Sequence, residues 1–371
     1  MNRILTIYFS IKRYKLTQIF YRVIRPLRRI FSDKKNYKVD KKLNINGWIT
    51  HLMNEETISN NMVFKFSNVQ KKLDLPKDWE SIKFNKLWTY NLHYFDDLQS
   101  FNCKKKSNLH KNIINNWVQN CRDRSKIGWD PYPTSLRIVN ILKSYLDGNQ
   151  YDEKVHNSIY TQSKYLFTVI EKDLLANHLI SNLKALLFSS VVYGDKKLFS
   201  YAADNILREI EEQIHEDGFH FELSPMYHRI LVVDLLDIFN LLKGDINRCK
   251  VSKKIIEKLK KILPKMMRVV ILMSHNNKEI SMFNDSANGI AADLNLISEY
   301  YEKLGIKYLV PEENQTIFDL KKSGYFCVQL KQMKVIFDVG NVGPVYQPGH
   351  SHADTLSFEL SIDGEIFFIN S

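Results

Sequence analysis

From about Asn108 to Leu304, apolar residues recur at spacings of three and four, with short polar or Gly-containing breaks between the runs. That period belongs to amphipathic helices packed on one another. It predicts helices over Pro133–Leu146, His156–Leu175, Leu179–Tyr193, Lys197–Ile214, Tyr227–Leu242 and Lys254–Met273. Long helices with short connections pack as antiparallel pairs, in a bundle, a solenoid or a closed toroid. No fixed-period repeat is visible, which counts against a regular solenoid. Near Pro311 the period drops to about two and predicts strands at Gly324–Leu330, Met333–Val339, Thr355–Ile362 and Glu365–Ile369. Lys331-Gln332 and Asp363-Gly364 read as hairpin turns, the second more strongly because Asp-Gly accepts the positive φ angles of a tight turn. The reading is a multi-domain α-then-β chain: a basic N-terminal helical segment at 1–42, a helical domain at 43–312 and an antiparallel sheet at 313–371. The apolar face of so small a sheet needs a partner layer. The run ends at Ser371 in what reads as the next strand, so the sheet is expected to be only the start of a larger β domain.

Composition narrows the class. The chain has 371 residues, of which 44% are hydrophobic, enough for two packed domains with a real core. Its net charge of +12 is concentrated, since the first 42 residues carry 13 Lys and Arg against two Asp. A nucleic-acid binder would spread its cations over the main domain, so no nucleic-acid partner is expected. Within the basic stretch, Ile4, Tyr8, Ile11, Leu16, Ile19, Phe20, Val23, Ile24 and Leu27 have helical spacing. Two readings stand: an ordinary helix packed on the main domain, or a surface helix making peripheral contact with anionic membrane. A secretory signal fits poorly, because the apolar run Ile4–Ile11 is short, cations follow at once and no small-residue cleavage site appears; this points to the cytoplasm or the inner membrane surface. Cys103, Cys121, Cys249 and Cys327 have no metal-type spacing and read as free thiols.

Four polar and aromatic clusters interrupt the helical pattern. Trp88, Tyr90, His93 and Tyr94 make the first; rings with polar edges suit sugars, and equally suit a packed segment. The second, Gly128 to Arg137, contains Trp129 and Tyr132 and places Arg137 where its fork could clamp a carboxylate or serve a structural ion pair. Asn177 and His178 form the third, where Asn177 is either a helix cap or a hydrogen-bond donor into a cleft. The fourth runs from Asp217 to His228, with Ser224 as cap and Pro225 at the first helical position. Tyr227 then lies in the first turn, where the helix dipole is expected to lower its phenol pKa. Finally, Gly349-His350-Ser351-His352-Ala353-Asp354 places two imidazoles two residues apart ahead of a strand, a spacing that puts both on one face if the chain is extended.

With these clusters in this order, the chain resembles the heparinase II/III family of polysaccharide lyases and, more loosely, alginate lyases. The resemblance is most specific at Phe221–His228 and Gly349–Asp354. It implies an incomplete α/α toroid followed by an antiparallel β-sandwich, and β-elimination on an acidic, uronate-containing polysaccharide. Asn177 and His178 would bind the carboxylate, Tyr227 would exchange protons and His350 would be the partner base. Trp88, Tyr90, His93, Tyr94, Trp129, Tyr132, Arg137, Glu222 and His228 are the candidate substrate contacts. Removing the C5 proton of a uronate builds enolate charge on its carboxylate, which explains why donors and a base are needed together. No cofactor is required. Some family members hold a structural zinc through the second His of the motif, which is His352 here. Asn370 stands where an Asp ligand is expected, so tight zinc binding is not expected. The alternatives are a uronate C5-epimerase or other glycan-modifying enzyme, and a non-catalytic glycan binder.

Overall fold

Helix boundaries follow local chemistry closely. In the computed structural model, which describes residues 12–32, 34–81, 83–244, 250–311 and 316–370, most expected helices appear with ends moved by a few residues. They belong to two compact units. One comprises Val23–Leu174 and His178–Asn205; the other comprises Leu175–Asn177 and everything from Ile206, together with the segment up to Arg22.

The first unit is helical. It holds α2 (Lys86–Leu92), α3 (Ser107–Asn120), α4 (Pro131–Leu146), α5 (Glu153–Val169) and most of α6 (Ala176–Tyr193). Helix α1 (Leu16–Ile30) contributes its C-terminal part. Asn85 caps α2 by accepting the Trp88 N–H, and Pro131 opens α4 at a position where its missing donor costs nothing. Helix α6 is buried on nearly every side, and Leu183, Ala185, Leu186, Leu187 and Phe188 are fully buried. The helix expected to reach Leu175 stops at Val169. There Glu171 N–H donates to Asn182 Oδ1 at 2.9 Å, and Leu175 and Ala176 take positive φ angles, so the chain turns before α6. A short hairpin, β1 (Val63–Phe66) with β2 (Val69–Lys72), was not anticipated. Each strand is only four residues long, too short to show a period.

The second unit contains α8 (Pro225–Lys243), α9 (Lys250–Leu272), α10 (Leu294–Leu304), the end of α7 (Lys196–Gln213) and a sheet. The sheet has five strands in sequential order: β3 (Ile317–Leu320), β4 (Tyr325–Leu330), β5 (Met333–Asp338), β6 (Phe358–Ile362) and β7 (Glu365–Phe368). Every pairing is antiparallel. Both expected two-residue turns form, with positive φ at Lys331, Asp363 and Gly364. Strand β3 adds to the expected four, and β6 starts later than Thr355 because Leu356 adopts φ 68°. Gly324, at φ 76°, closes the β3–β4 turn where a Cβ would stand 2.2 Å from the Gly340 Cα, so only glycine fits.

The inner face of this sheet packs Phe318, Leu320, Tyr325, Cys327 and Ile336 against Phe219, Val269, Leu272 and Phe283. Toward β6 the inner face becomes polar. Glu359 is fully buried against His275 at 2.7 Å, and Lys334 donates to the Ile271 carbonyl at 2.9 Å. The outer face carries a row of rings across four strands, with centroid spacings of 6.2 Å (Phe326–Phe337), 5.8 Å (Phe337–Phe358) and 5.7 Å (Phe358–Phe368). Cys103, Cys121 and Cys327 are buried free thiols, and Cys249 lies outside the described residues.

Candidate active site

The N-terminus of α8 is built to hold Tyr227. Ser224 accepts the Tyr227 N–H at 3.4 Å, and its hydroxyl meets Ser286 Oγ at 3.1 Å. Just upstream, Leu223 sits at φ 59°, held there because its carbonyl accepts both Tyr325 Oη–H at 2.8 Å and Asn284 Nδ2–H at 3.0 Å. The phenol ring lies 4.0 Å from the His350 ring, centroid to centroid. His350 ends a single 3-10 turn, Pro348–His350, and its backbone carbonyl accepts the Asp285 N–H at 3.1 Å. Its Nδ1 is 2.8 Å from Asp285 Oδ2 and its Nε2 is 3.8 Å from Glu222 Oε1.

The phenol pKa is shifted opposite to expectation. Burial raises it above the ordinary value, and the carboxylates of Asp285 and Glu222 add to the rise. A helix dipole is worth up to about 1 kcal/mol at a surface and is outweighed by loss of water and two negative neighbours. Tyr227 therefore keeps its proton at neutral pH.

Around this pair lies a buried polar shelf. Asn177 Nδ2–H donates to Glu222 Oε2 at 3.2 Å, and Asn177 Oδ1 accepts no hydrogen bond among the described residues. Glu222 Oε2 is also 3.5 Å from His220 Nδ1. Gln213 turns its amide N–H groups to Ala176 O and Glu209, so its oxygen receives His220 Nε2–H at 3.1 Å. Burial, followed by the nearby His228, His215 and His350, holds the His220 pKa well below that of free histidine. His228, expected to touch substrate, is instead a core residue. Its Nδ1 accepts the His220 N–H, which leaves Nε2–H to donate to Met266 O at 2.9 Å, and burial lowers its pKa to about 4.

In the helical unit, most expected sugar contacts turn out to be structural. His93 is fully buried: Trp117 Nε1–H donates to its Nδ1 at 3.0 Å, so its own Nε2–H goes to Trp79 O at 3.1 Å. Arg137 is fully buried as well, bonded to Gln162 Oε1, His93 O and Gly128 O and stacked 3.9 Å over the Trp117 ring. Its fork is used up inside the protein, and burial pulls the guanidinium down to about 9. Trp88 donates to Val69 O and Trp129 to Cys121 O, both from buried positions, and Tyr94 is buried too. These five residues are corrected from ligand contacts to core. Tyr90, Tyr132 and His178 keep exposed surface. Tyr90 donates to Asp130 Oδ2 at 2.5 Å, and His178 packs 4.3 Å from the Tyr132 ring with its Nδ1 3.3 Å from Glu171 Oε2.

Comparison with known proteins resolves the family. The heparinase II/III N-terminus model matches residues 16–308, and the heparinase II/III-like C-terminal model matches residues 312–371. The chain belongs to the heparinase II/III family. A curated heparin-sulfate lyase of Pedobacter heparinus is 26% identical over 176 residues, covering 44% of this chain and 26% of that protein. The crystal structure of heparinase III superposes with a TM-score of 0.62 at 16% identity, covering 94% of this chain and 62% of that one. The heparan sulfate lyase structure from Pedobacter heparinus gives 0.53 at 16% identity over 94% and 60%. The chain thus spans about a quarter of the curated relative and about three fifths of the solved ones. The fold class expected from sequence, a helical toroid region followed by an antiparallel β domain, is that of these heparinase structures.

His352 is exposed, and its backbone N–H donates to Asn284 Oδ1 at 3.1 Å. The 3-10 turn at His350 breaks the extended geometry that would have aligned the two imidazoles. Asn370 Nδ2–H is spent on Asp354 Oδ2 at 3.0 Å, and among the described residues no three His, Cys, Asp or Glu side chains converge as ligands. Sequence reasoning also missed Asp285. Its only local signal is a polar Asn-Asp-Ser turn after Phe283, which carries no period and no motif.

Proposed function

We propose that this heparinase II/III-like chain carries the acid–base centre of a polysaccharide lyase that cleaves an acidic, uronate-containing glycan by β-elimination. The observation that carries the reading is the contact between Tyr227 and His350, with His350 Nδ1 held by Asp285. A Nδ1–H directed at a carboxylate leaves Nε2 with its lone pair, ready to take the C5 proton. The electron pair of that C–H bond forms the C4=C5 double bond as the C4–O bond breaks. Tyr227, kept protonated, supplies the proton to the departing oxygen. Asn177 has one amide hydrogen on Glu222 and a second for the substrate carboxylate, where enolate charge develops. The named activities of the relatives, on heparin and heparan sulfates, favour a glycosaminoglycan-type substrate.

Acid and base lie side by side, which suits elimination from one face of the sugar. Epimerisation at C5 needs a proton delivered to the opposite face. The test is ultraviolet absorbance of the conjugated uronate product with heparan sulfate, hyaluronan and alginate, comparing wild type with Tyr227→Phe. Loss of the phenol should lower turnover by about 10²- to 10⁴-fold while substrate binding persists. Deuterium entry at C5 without unsaturated product would establish epimerisation instead, and wild-type turnover by Tyr227→Phe would remove the phenol from the mechanism.

A further inference from the structure

Helix α1 is mounted with its charged face inward. Arg25 Nη1–H donates to Asp173 Oδ2 at 3.0 Å, Arg28 Nη1–H to Ile170 O at 2.9 Å, and Arg29 pairs with Asp130. Asp173 and Ile170 are buried, so these arginines are committed to the protein body. The opposite side carries Leu16, Phe20, Val23, Leu27 and Ile30, spaced four, three, four and three apart, the interval that keeps residues on one helical face. Their exposures are 84, 57, 71, 53 and 62%, and Phe31 extends the row at 81%. A helix on a soluble domain ordinarily buries such a stripe. An apolar row this long is beyond scattered surface residues and marks an interaction surface.

The flanks say which surface. Lys12 and Arg13 precede the row, Lys34 and Lys35 follow it, Arg22 lies beside it, and all five are exposed. From Lys12 to Lys35 the sequence has one acidic residue, Asp33. We propose that α1 docks this protein on an anionic lipid surface, lying in the plane of the interface. The apolar side chains would enter the acyl boundary, and the flanking cations would meet headgroup phosphates. The stripe is one helix wide and predominantly cationic at its margins, a shape and charge that a fluid anionic surface complements. No helix among the described residues is long and apolar enough to cross a membrane, so the contact is peripheral. This inference does not depend on the lyase reading.

The test is flotation of the full chain with phosphatidylglycerol-containing vesicles and with pure phosphatidylcholine vesicles, at low and high salt. Binding should need the anionic lipid and weaken with salt. Val23→Glu combined with Leu27→Glu changes only exposed positions, so the melting curve should be retained while partitioning falls more than about tenfold. Phe358→Glu, on the apolar sheet face, should leave partitioning unchanged. Leu27→Trp should show blue-shifted emission and quenching by brominated acyl chains. The proposal fails if wild type does not float with anionic vesicles, or if the double variant floats equally well. It also fails if Phe358→Glu abolishes binding, or if the double variant instead dissolves a dimer formed without lipid.

Discussion

Acidification should destabilise the helical unit through two buried neutral histidines. His93 is held down to about 3 by burial and then by the Arg137 charge, and His156, only 3% exposed, to about 4 by burial and then by Lys42. In the unfolded chain both titrate near 6.5. Between that value and the folded pKa values the unfolded state binds more protons, so stability falls as pH falls. Going from about pH 7.5 to about pH 5 costs about 2 kcal/mol for each histidine by linkage. Asp96 works the other way. Burial raises it to about 6, so it gains a proton in the folded state first and returns about 1.5 kcal/mol by pH 5. Glu80, also raised by burial, acts in the same direction as Asp96. The net loss from the two histidines and Asp96 is about 2.5 kcal/mol, which lowers the melting temperature by roughly 5–10 °C for a unit of this size. The assay is thermal unfolding followed by tryptophan fluorescence, which is selective because Trp48, Trp79, Trp88, Trp117 and Trp129 all lie in this unit. His156→Gln should remove most of the acid shift, and Asp96→Asn should enlarge it by about 1.5 kcal/mol. A midpoint that does not fall at pH 5, or a shift that His156→Gln leaves intact, would refute the reasoning.

Two further outcomes test particular contacts. Asp285→Asn removes a charge-assisted bond to His350 from a half-exposed carboxylate; solvent screening limits the effect to about tenfold in turnover, read from unsaturated product, and unchanged kcat would dismiss the orienting role. Gly128→Ala places a Cβ 2.7 Å from His93 Cε1, so the ring must leave its Trp79 and Trp117 partners, costing about 2 kcal/mol in a denaturant titration; a variant as stable as wild type would show that the His93 pocket can yield.

By itself, the sequence determined what depends on near neighbours. Helices from Pro131 to Leu272, the two tight turns at Lys331-Gln332 and Asp363-Gly364, and the change from a period near 3.6 to one near two were all legible, because they reflect contacts three or four residues apart or single φ angles. The motifs at Phe221–His228 and Gly349–Asp354 were legible as family marks. Tertiary structure decided which polar groups were still available for chemistry. Arg137 and His93 look like ligand-binding residues in the chain, yet backbone carbonyls brought in from Gly128, Trp79 and His93 consume their donors. Asp285 carries no signal until the fold sets it against His350, 65 residues away. The direction of the Tyr227 shift is equally non-local, because burial and two distant carboxylates override the dipole of its own helix. Helix α1 shows the same division: its stripe can be read from spacing, but only Asp130, Asp173 and the Ile170 carbonyl determine that the arginines face inward and the stripe faces out. Periodicity records that a helix has two faces; the partners that choose between them lie elsewhere in the chain.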